Sequence, residues 1–304
     1  MKAQVELEKL VVAEPDVLPF LDKDTNTFSY IVKDPESNAC AVIDSVVNYD
    51  PASGGVSYEG ADAIIKTIKD RKLQLEWVIE THVHADHLSA APYIKNALGG
   101  KIAIGDQVSI VQKTFGRVFN ADSDFAQDGS QFDHLFKDNE VYYVGKMAAL
   151  AMHTPGHTPA CMTHLIGNAA FVGDTIFMPD SGSARADFPG GDARILYRSI
   201  KKLLSLPPKT RLFMCHDYST GERELEYEST IAEELANNIH VNAAVSEDQF
   251  VTMREAKDKS MEVPHLILPS LQVNMRAGEF PPPEDNGRVY LKIPVNVFAP
   301  HRKQ

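Results

Sequence analysis

The chain has 304 residues, of which 43% are hydrophobic and 24% charged, and its formal net charge is −12. This composition is that of an ordinary globular protein, long enough to bury one large core or two modest ones. The negative charge disfavours nucleic acid and anionic membranes as partners. No stretch approaches the roughly 18 consecutive apolar residues of a membrane span. Glutamates and a lysine interrupt the first 15 residues, so no signal peptide is expected.

The cysteine content points to a reducing compartment. Cys40, Cys161 and Cys215 are odd in number and far apart in the sequence. That spacing argues against a disulfide framework, and we therefore expect a cytoplasmic protein.

The first predicted elements form a hairpin. Strands are expected at Thr27–Val32 and Ala39–Ile43, with a polar turn between them and no glycine-rich nucleotide-binding loop after them. Asp44 ends the second strand, where it either accepts hydrogen bonds from a neighbouring loop or lies exposed in a turn. Asn48–Gly60 is expected to be a polar loop, and Gly60–Lys72 an amphipathic helix.

The densest polar motif is T-H-V-H-A-D-H at Thr81–His87. It follows the apolar strand predicted at Leu75–Ile79, and it precedes a helix expected to open at Ser89 and run through Leu98. The motif places four polar side chains within six positions: His82, His84, Asp86 and His87. Imidazoles and a carboxylate this close require water or a cation for their lone pairs. We therefore predict a metal site, with a solvated polar loop as the alternative.

The next stretch is less regular. A short strand is expected at Lys101–Ile104, followed by an irregular region to about Asp138. Five phenylalanines are scattered through that region: Phe115, Phe119, Phe125, Phe132 and Phe136. They are typical of a surface loop held by aromatic side chains, and one wall of a substrate cleft is the second option.

Three further polar residues follow predicted strands. His157 comes after Met147–Met152, Asp174 after the hairpin of Cys161–Ile166 and Ala170–Val172, and His216 after Leu212–Met214. A helix with one apolar side is expected from about Ala193 to Leu203 and is stopped by the prolines at 207–208.

The last part of the chain is expected to extend the same domain. We predict an acidic helix at Glu222–Asn238, a helix with a capping box at Ser246–Lys257, and a strand-like segment at Val289–Val297. Accordingly, residues 1–220 form the predicted catalytic domain, and residues 221–304 form a helical and extended C-terminal extension packed on it.

Two sets of metal ligands are compatible with these positions. One set is His82, His84, His157 and Asp174, and the other is Asp86, His87, Asp174 and His216. Asp174 would bridge them, since one carboxylate can serve two cations.

The motif H-x-H-x-D-H at 82–87, together with His157, Asp174 and His216, resembles the metallo-β-lactamase superfamily over about residues 20–220. The resemblance implies an α/β fold, an αββα sandwich with metals at one edge, here with a C-terminal appendage.

Other segments narrow the resemblance. T-P-G-H-T-P at 154–159, G-D-T at 173–175 and S-A-R-A-D-F at 183–188 look like the glyoxalase II and persulfide dioxygenase branch. N-M-R-A-G at 274–278 resembles the tail of persulfide dioxygenases. Glyoxalase II usually carries a helical C-terminal domain with a basic thiol-binding cluster, which we do not find in the sequence.

The resemblance therefore implies a persulfide dioxygenase that oxidises glutathione persulfide with O₂ to sulfite and glutathione, in sulfide detoxification. The runner-up is a glyoxalase II-like hydrolase of S-lactoylglutathione with two zinc ions. A sulfur-binding sensor with an unused site is a third interpretation. A homodimer is left open.

The resemblance also assigns roles to residues. It implies one Fe(II) bound by His82, His157 and Asp174, a set of two histidines and one carboxylate that suits non-haem iron. The remaining motif residues then orient these ligands or hold a second metal: His84, Asp86, His87 and His216. Arg185 is a candidate for binding a glutathione carboxylate. Tyr197 and Arg276 are further candidates, with a core position and a cap on a backbone carbonyl as their alternatives.

Overall fold

In the computed structural model, residues 13–218 and 223–298 are described, and two six-stranded sheets dominate them. The first sheet has the order β1-β2-β3-β6-β8-β9, comprising Asp16–Asp22, Thr27–Lys33, Ala39–Ile43, Gln74–Ile79, Lys101–Gly105 and His134–Phe136. The second runs from β10 to β15 in chain order, comprising Glu140–Val144, Met147–His153, Met162–Ile166, Ala169–Phe171, Arg211–Phe213 and Glu228–Thr230. A small third sheet has the order β5-β4-β7, comprising Gly55–Ser57, Val46–Asp50 and Leu88–Ser89.

Helices accompany both halves of the chain. They are α1 (Glu59–Asp70), α2 (Ala91–Leu98), α3 (Val108–Val118), α4 (Ala193–Leu203), α5 (Ile231–Asn237), α6 (Glu247–Asp258) and α7 (Ile267–Asn274). Among the described residues, no helix is both long and apolar enough to cross a membrane.

Alternation along the strands explains the layers. In β2 and β3, Tyr30 and Ala41 point into a core shared with the second sheet, whereas Ile31 and Val42 point into a core shared with helices. Since successive side chains of a strand face opposite sides, each of these strands is buried on both faces. A third core joins the outer face of the second sheet to α4 and α6. Three cores between four layers make the αββα sandwich, so the predicted fold class is confirmed.

The C-terminal extension contributes to both outer cores. Phe250 of α6 is fully buried and packs against Tyr197 of α4. On the other side of the sandwich, Ile267, Leu271 and Val273 of α7 are buried with α1, α2 and α3. Both outer faces of the sandwich therefore depend on residues beyond 220.

The region expected to be irregular contains helix α3. Val108, Val111 and Phe115 repeat at intervals of three and four and are buried, while the N-cap residue Gln107 makes no side-chain cap, which hides the helix start. The five phenylalanines are core residues that do not line the large cavity. The expected loop held by aromatic side chains is present only after α3, where Phe119, Phe125 and Phe132 are buried.

Four other expectations need correction. The polar loop at Asn48–Gly60 holds the β4–β5 hairpin. Ser89 belongs to β7, and α2 begins two residues later at Ala91. In the acidic segment, β15 pairs with β14 and the helix is limited to α5, while Glu222 lies outside the described residues. The segment Val289–Val297 forms no strand with any described residue. Pro294 lacks the backbone N–H of a strand residue, and the backbone of Lys292 bonds to the side chain of Gln272.

Replacing Phe250 with alanine tests whether the extension shares the core of the sandwich. The loss of a fully buried aromatic side chain is expected to lower the free energy of unfolding by roughly 3–5 kcal/mol, measured by urea denaturation in one transition. Val263→Ala, a change at an exposed residue of the same segment, should stay within about 0.5 kcal/mol of the wild type. A separate early transition that alone responds to Phe250→Ala would contradict shared packing.

Candidate metal centre

The predicted ligands gather where strands of both sheets end. The loop after β6 carries His82, His84, Asp86 and His87. The other three come from the second sheet: His157 from the β11–β12 loop, Asp174 after β13, and His216 after β14. Because β13 and β14 are parallel neighbours, their carboxyl ends bring Asp174 and His216 to the same edge. The structure thus assembles all seven residues of the two predicted ligand sets.

One cluster consists of His82, His157 and Asp174, whose potential ligand atoms lie within 4.8 Å of one another. Nε2 of His157 is 3.6 Å from Oδ2 of Asp174. Nε2 of His82 and Oδ1 of Asp174 are buried and have no hydrogen-bond partner in the described structure. Nδ1 of His157 lies 2.8 Å from the carbonyl oxygen of Arg185. That carbonyl can only accept, so it fixes the N–H on Nδ1 and leaves the Nε2 lone pair toward the cluster.

Burial also keeps His82 neutral. Its environment lowers the pKa of the imidazole well below the ordinary value, mainly through desolvation and further through the neighbouring His84 and His157. A neutral imidazole is the form that donates a lone pair to a metal.

The other predicted set lies directly beside the first. Nε2 of His216 is 3.2 Å from Oδ2 of Asp86 and 3.4 Å from Oδ1 of Asp174. Three further nitrogens are buried without a hydrogen-bond partner among the described residues: Nδ1 of His84 and Nε2 of His87 and His216. Cys215 also lies within this group, but burial raises the pKa of its thiol well above the usual value, which disfavours a thiolate ligand.

The buried nitrogen and oxygen atoms without hydrogen-bond partners indicate whether the site fits a metal ion. Buried polar atoms normally have hydrogen-bond partners, and leaving several unpaired in one place is costly. Imidazole nitrogens and carboxylate oxygens are ligands for zinc and for non-haem iron. The donor set therefore fits divalent cations of this kind, and it has enough donors for one ion or for two.

Buried carboxylates support the loop after β6. Asp44 accepts hydrogen bonds from the backbone N–H and hydroxyl of Thr81, at 2.7 and 2.8 Å, and lies 3.0 Å from Nε2 of His84. Burial acts to raise the pKa of Asp44, but His84 and Thr81 outweigh it and hold that pKa below its usual value. Of the two options that the sequence left for Asp44, the structure selects hydrogen bonding to the loop.

Glu80 is a second supporting carboxylate, which the sequence did not indicate. It is buried, lies 3.2 Å from Nε2 of His84 and accepts a hydrogen bond of 2.7 Å from the hydroxyl of Ser89. With Asp44 and Glu80 on its Nε2, the ring of His84 is fixed so that its unpaired Nδ1 faces the other histidines.

A cavity of about 1160 Å³ opens onto the cluster, and Asp86, His157 and Asp174 form part of its wall. Arg185 also lines it, but its guanidinium is bound to Asp187 and to the carbonyl of Glu262. The other substrate candidates are elsewhere. The hydroxyl of Tyr197 donates to the carbonyl of Val245, and Arg276 lines a separate cavity of about 400 Å³, stacked on Phe125.

Helix α6 adds basic residues that the sequence reasoning missed. Arg254 and Lys257 line the large cavity. Arg254 is bound to Asp258 and to the carbonyl of Ser183, whereas Lys257 makes no ion pair with any described residue. Their spacing of one helical turn was the available signal. The extension therefore contributes two basic side chains to the cavity wall, and Asp258 neutralises one of them.

A two-sheet αββα sandwich with histidines and aspartates gathered at its edge defines a class of metal-dependent enzymes. The family model of the metallo-beta-lactamase superfamily matches residues 22–216. The chain belongs to the metallo-β-lactamase superfamily, as the sequence motifs predicted.

Proteins with different names are similar to this chain in sequence. A Burkholderia pseudomallei protein named "Probable metallo-hydrolase" is 55% identical, over 92% of this chain and 98% of its own length. Glyoxylase B2 of Dictyostelium discoideum is 47% identical over 94% of this chain and 98% of its own. Human mitochondrial persulfide dioxygenase ETHE1 is 27% identical over 83% of this chain and 84% of its own. The crystal structure of ETHE1 from Myxococcus xanthus has the same fold, with a TM-score of 0.69 and 24% identity over 87% of this chain and all of that one.

The loop that carries His157 is fixed by close packing on α4. Gly156 has φ of +135°, and a Cβ there would lie 2.3 Å from the backbone N and Cα of Leu196. The backbone N–H of Asp192, the N-cap of α4, donates to the carbonyl of Gly156. The loop can therefore approach the helix only because residue 156 has no side chain.

Gly156→Ala is expected to lower the free energy of unfolding by roughly 2–4 kcal/mol, from backbone strain and overpacking. It should also weaken metal binding by displacing His157, measured by titration of the metal-free protein with Zn²⁺. Gly60→Ala is the matched control, since Gly60 lies in α1 with open space around it, and it should change stability by no more than about 1 kcal/mol. Equal stability and metal affinity in the two variants would refute the packing argument.

Proposed function

We propose that this protein is a persulfide dioxygenase that holds one Fe(II) with His82, His157 and Asp174. The observation that carries the proposal is the cluster of two imidazoles and one carboxylate within 4.8 Å, with unpaired buried donors, at the wall of a large cavity. Two histidines and one carboxylate are the ligand set of many non-haem Fe(II) oxygenases. The 27% identity to a named persulfide dioxygenase over most of the chain supports the same reaction.

The overall reaction balances with one water. Glutathione persulfide, O₂ and water give glutathione and sulfite with its two protons, and the outer sulfur loses the four electrons that O₂ gains. Bound iron would supply coordination positions for the substrate sulfur and for O₂. The protein holds the ligands for this: the carbonyl of Arg185 orients His157, and Thr81 contacts Nδ1 of His82 at 3.1 Å.

The cavity offers complementary charges to a thiol such as glutathione. Lys257 stands on one wall without an ion-pair partner among the described residues, and its ammonium is a suitable partner for a substrate carboxylate. Asp22, Asp24 and Asp50 also line the cavity, and these carboxylates suit an ammonium group. Glutathione carries two carboxylates and one ammonium. Arg185 is in this proposal a secondary contact, since Asp187 and the Glu262 carbonyl already occupy it.

A glyoxalase II-like hydrolase is the second candidate, and a specific observation favours it. The unpaired nitrogens of His87 and His216, with Asp86 beside them, complete the second predicted set of donors, and the unpaired nitrogen of His84 adds to the first. Two zinc ions held by these sets would supply an activated water for thioester hydrolysis. The 47% identity to Glyoxylase B2 and the basic residues of α6 support the same candidate.

Metal analysis and oxygen uptake on one anaerobically purified sample separate the candidates. The proposal predicts about one iron per chain and O₂ consumption with glutathione persulfide, matched by sulfite release. His157→Ala should abolish both the iron and the O₂ uptake, because it removes a ligand. His134→Gln, which keeps a side chain able to bond Glu140 away from the cavity, should leave both unchanged. Two zinc ions per chain with hydrolysis of S-lactoylglutathione and no O₂ uptake would establish the hydrolase instead.

Lys257→Ala tests the thiol-binding wall. Loss of one charged contact to the substrate carboxylate is expected to raise KM for glutathione persulfide roughly tenfold, with kcat little changed, because the contact is made equally in ground and transition states. Steady-state O₂ uptake measures both constants. Lys259→Ala, two residues away and outside the cavity, should match the wild type. An unchanged KM in Lys257→Ala would remove Lys257 from the binding site.

A further inference from the structure

One buried side chain of the C-terminal extension contacts the ligand loop, residues 80–89, which carries His82, His84, Asp86 and His87. Asn274, the last residue of α7, lies 185 residues beyond Ser89 in the sequence. Its Oδ1 accepts a hydrogen bond of 2.8 Å from the backbone N–H of Ser89. Its Nδ2 donates to the carbonyl of His84 at 2.9 Å and to the carbonyl of His87 at 2.7 Å.

These three bonds use both donors of the carboxamide and one of the two acceptor sites on its oxygen. Each bond is made to a backbone group of residues 84–89. Asn274 is only 4% exposed, and His84 and His87 are fully buried, so water does not substitute readily for these bonds. One side-chain amide thus satisfies three backbone groups of this loop, as a paired strand would do in a sheet.

The residues that follow Asn274 are held by a hydrogen bond and by close packing. The carbonyl of the next residue, Met275, accepts a hydrogen bond of 3.0 Å from buried Gln112 of α3. Gly278 has φ of +87°, and a Cβ there would lie 2.6 Å from Cδ of Pro92 and 3.0 Å from the carbonyl oxygen of Ser89. The tail therefore packs closely on the same segment that its asparagine bonds.

We propose that Asn274 is a positioning residue that sets the geometry of the ligand loop. The two carbonyls that it binds flank Asp86, so the backbone on both sides of that carboxylate is held to a helix from the far end of the chain. The extension is thereby part of the metal centre, although it supplies no ligand. This inference rests on the proposed metal centre, but it holds equally for an iron dioxygenase and a zinc hydrolase.

Asn274→Asp is the sharpest test, because aspartate keeps the shape and the acceptor oxygens but loses both donors. The metal-free variant is titrated with Co²⁺, whose visible absorption reports ligand geometry, and amide hydrogen exchange is measured at Ser89. We expect Co²⁺ affinity to fall by roughly 10–100-fold, the usual effect of losing support for a ligand. The cobalt spectrum should change, and exchange at Ser89 should become faster.

Gln272→Ala is the matched control. Gln272 lies on the same helix and makes the same kind of bonds, but to the backbone of Lys292 in the tail. It should lower thermal stability while leaving Co²⁺ affinity within twofold of the wild type. Asn274→Ala, which introduces no charge, carries the same expectation as Asn274→Asp and replaces it if the aspartate variant does not fold.

Several outcomes would overturn the inference. Affinity within twofold of the wild type in both Asn274 variants would do so, as would an equal loss of affinity in Gln272→Ala at the same loss of melting temperature. Failure of the wild-type protein to bind Co²⁺ would refute the proposed metal centre as well. Normal binding in the wild type with unaffected Asn274 variants would refute the role of Asn274 alone.

Discussion

Buried lone pairs that face one another at the edge of the two sheets are the constraint on which this structure depends. Imidazoles of His82, His84, His87 and His216 each have a ring nitrogen without a hydrogen-bond partner among the described residues, and all four residues are at most 1% exposed. Such an arrangement has two requirements: contacts that hold the rings in fixed orientations, and water or a cation that satisfies the nitrogens. Much of the surrounding structure supplies the first condition.

The supporting contacts come from residues both near the candidate ligands in the sequence and far from them. Thr81 contacts Nδ1 of His82, and Glu80 and Asp44 contact Nε2 of His84. The carbonyl of Arg185 orients His157. Asn274 then holds the backbone of the same loop from the opposite end of the chain. Each contact uses the nitrogen or backbone group that does not face the cluster. The donors are therefore directed inward by bonds made outside, which is the usual organisation around metal ligands.

The sequence allowed prediction of those parts of the site that are local or carried by motifs. The ligand loop was predicted because its four polar residues lie within six positions. His157, Asp174 and His216 were predicted because each follows an apolar strand within a family motif. Lys257 was not predicted although its helical spacing from Arg254 was visible, because nothing local shows that α6 borders the cavity. Asn274 lies in a recognised motif, but its role was not predicted because its bonding partners are far away in the sequence. Helix α3 was missed for a different reason: its apolar repeat was present, but no capping residue marked its start. Val289–Val297 has the alternation of a strand, yet no described strand is available to pair with it.

The candidate ligands are compatible with both proposed chemistries, so these side chains alone do not select the reaction. The three-residue set of an iron oxygenase remains if four residues do not bind the metal: His84, Asp86, His87 and His216. If those four do bind, the donors are those of a dinuclear hydrolase. The backbone of residues 84–89 bears on both cases, because it sets where the side chains of His84, Asp86 and His87 point. Under the proposed role of Asn274, its three bonds to this backbone make the C-terminal extension part of what orients the donors.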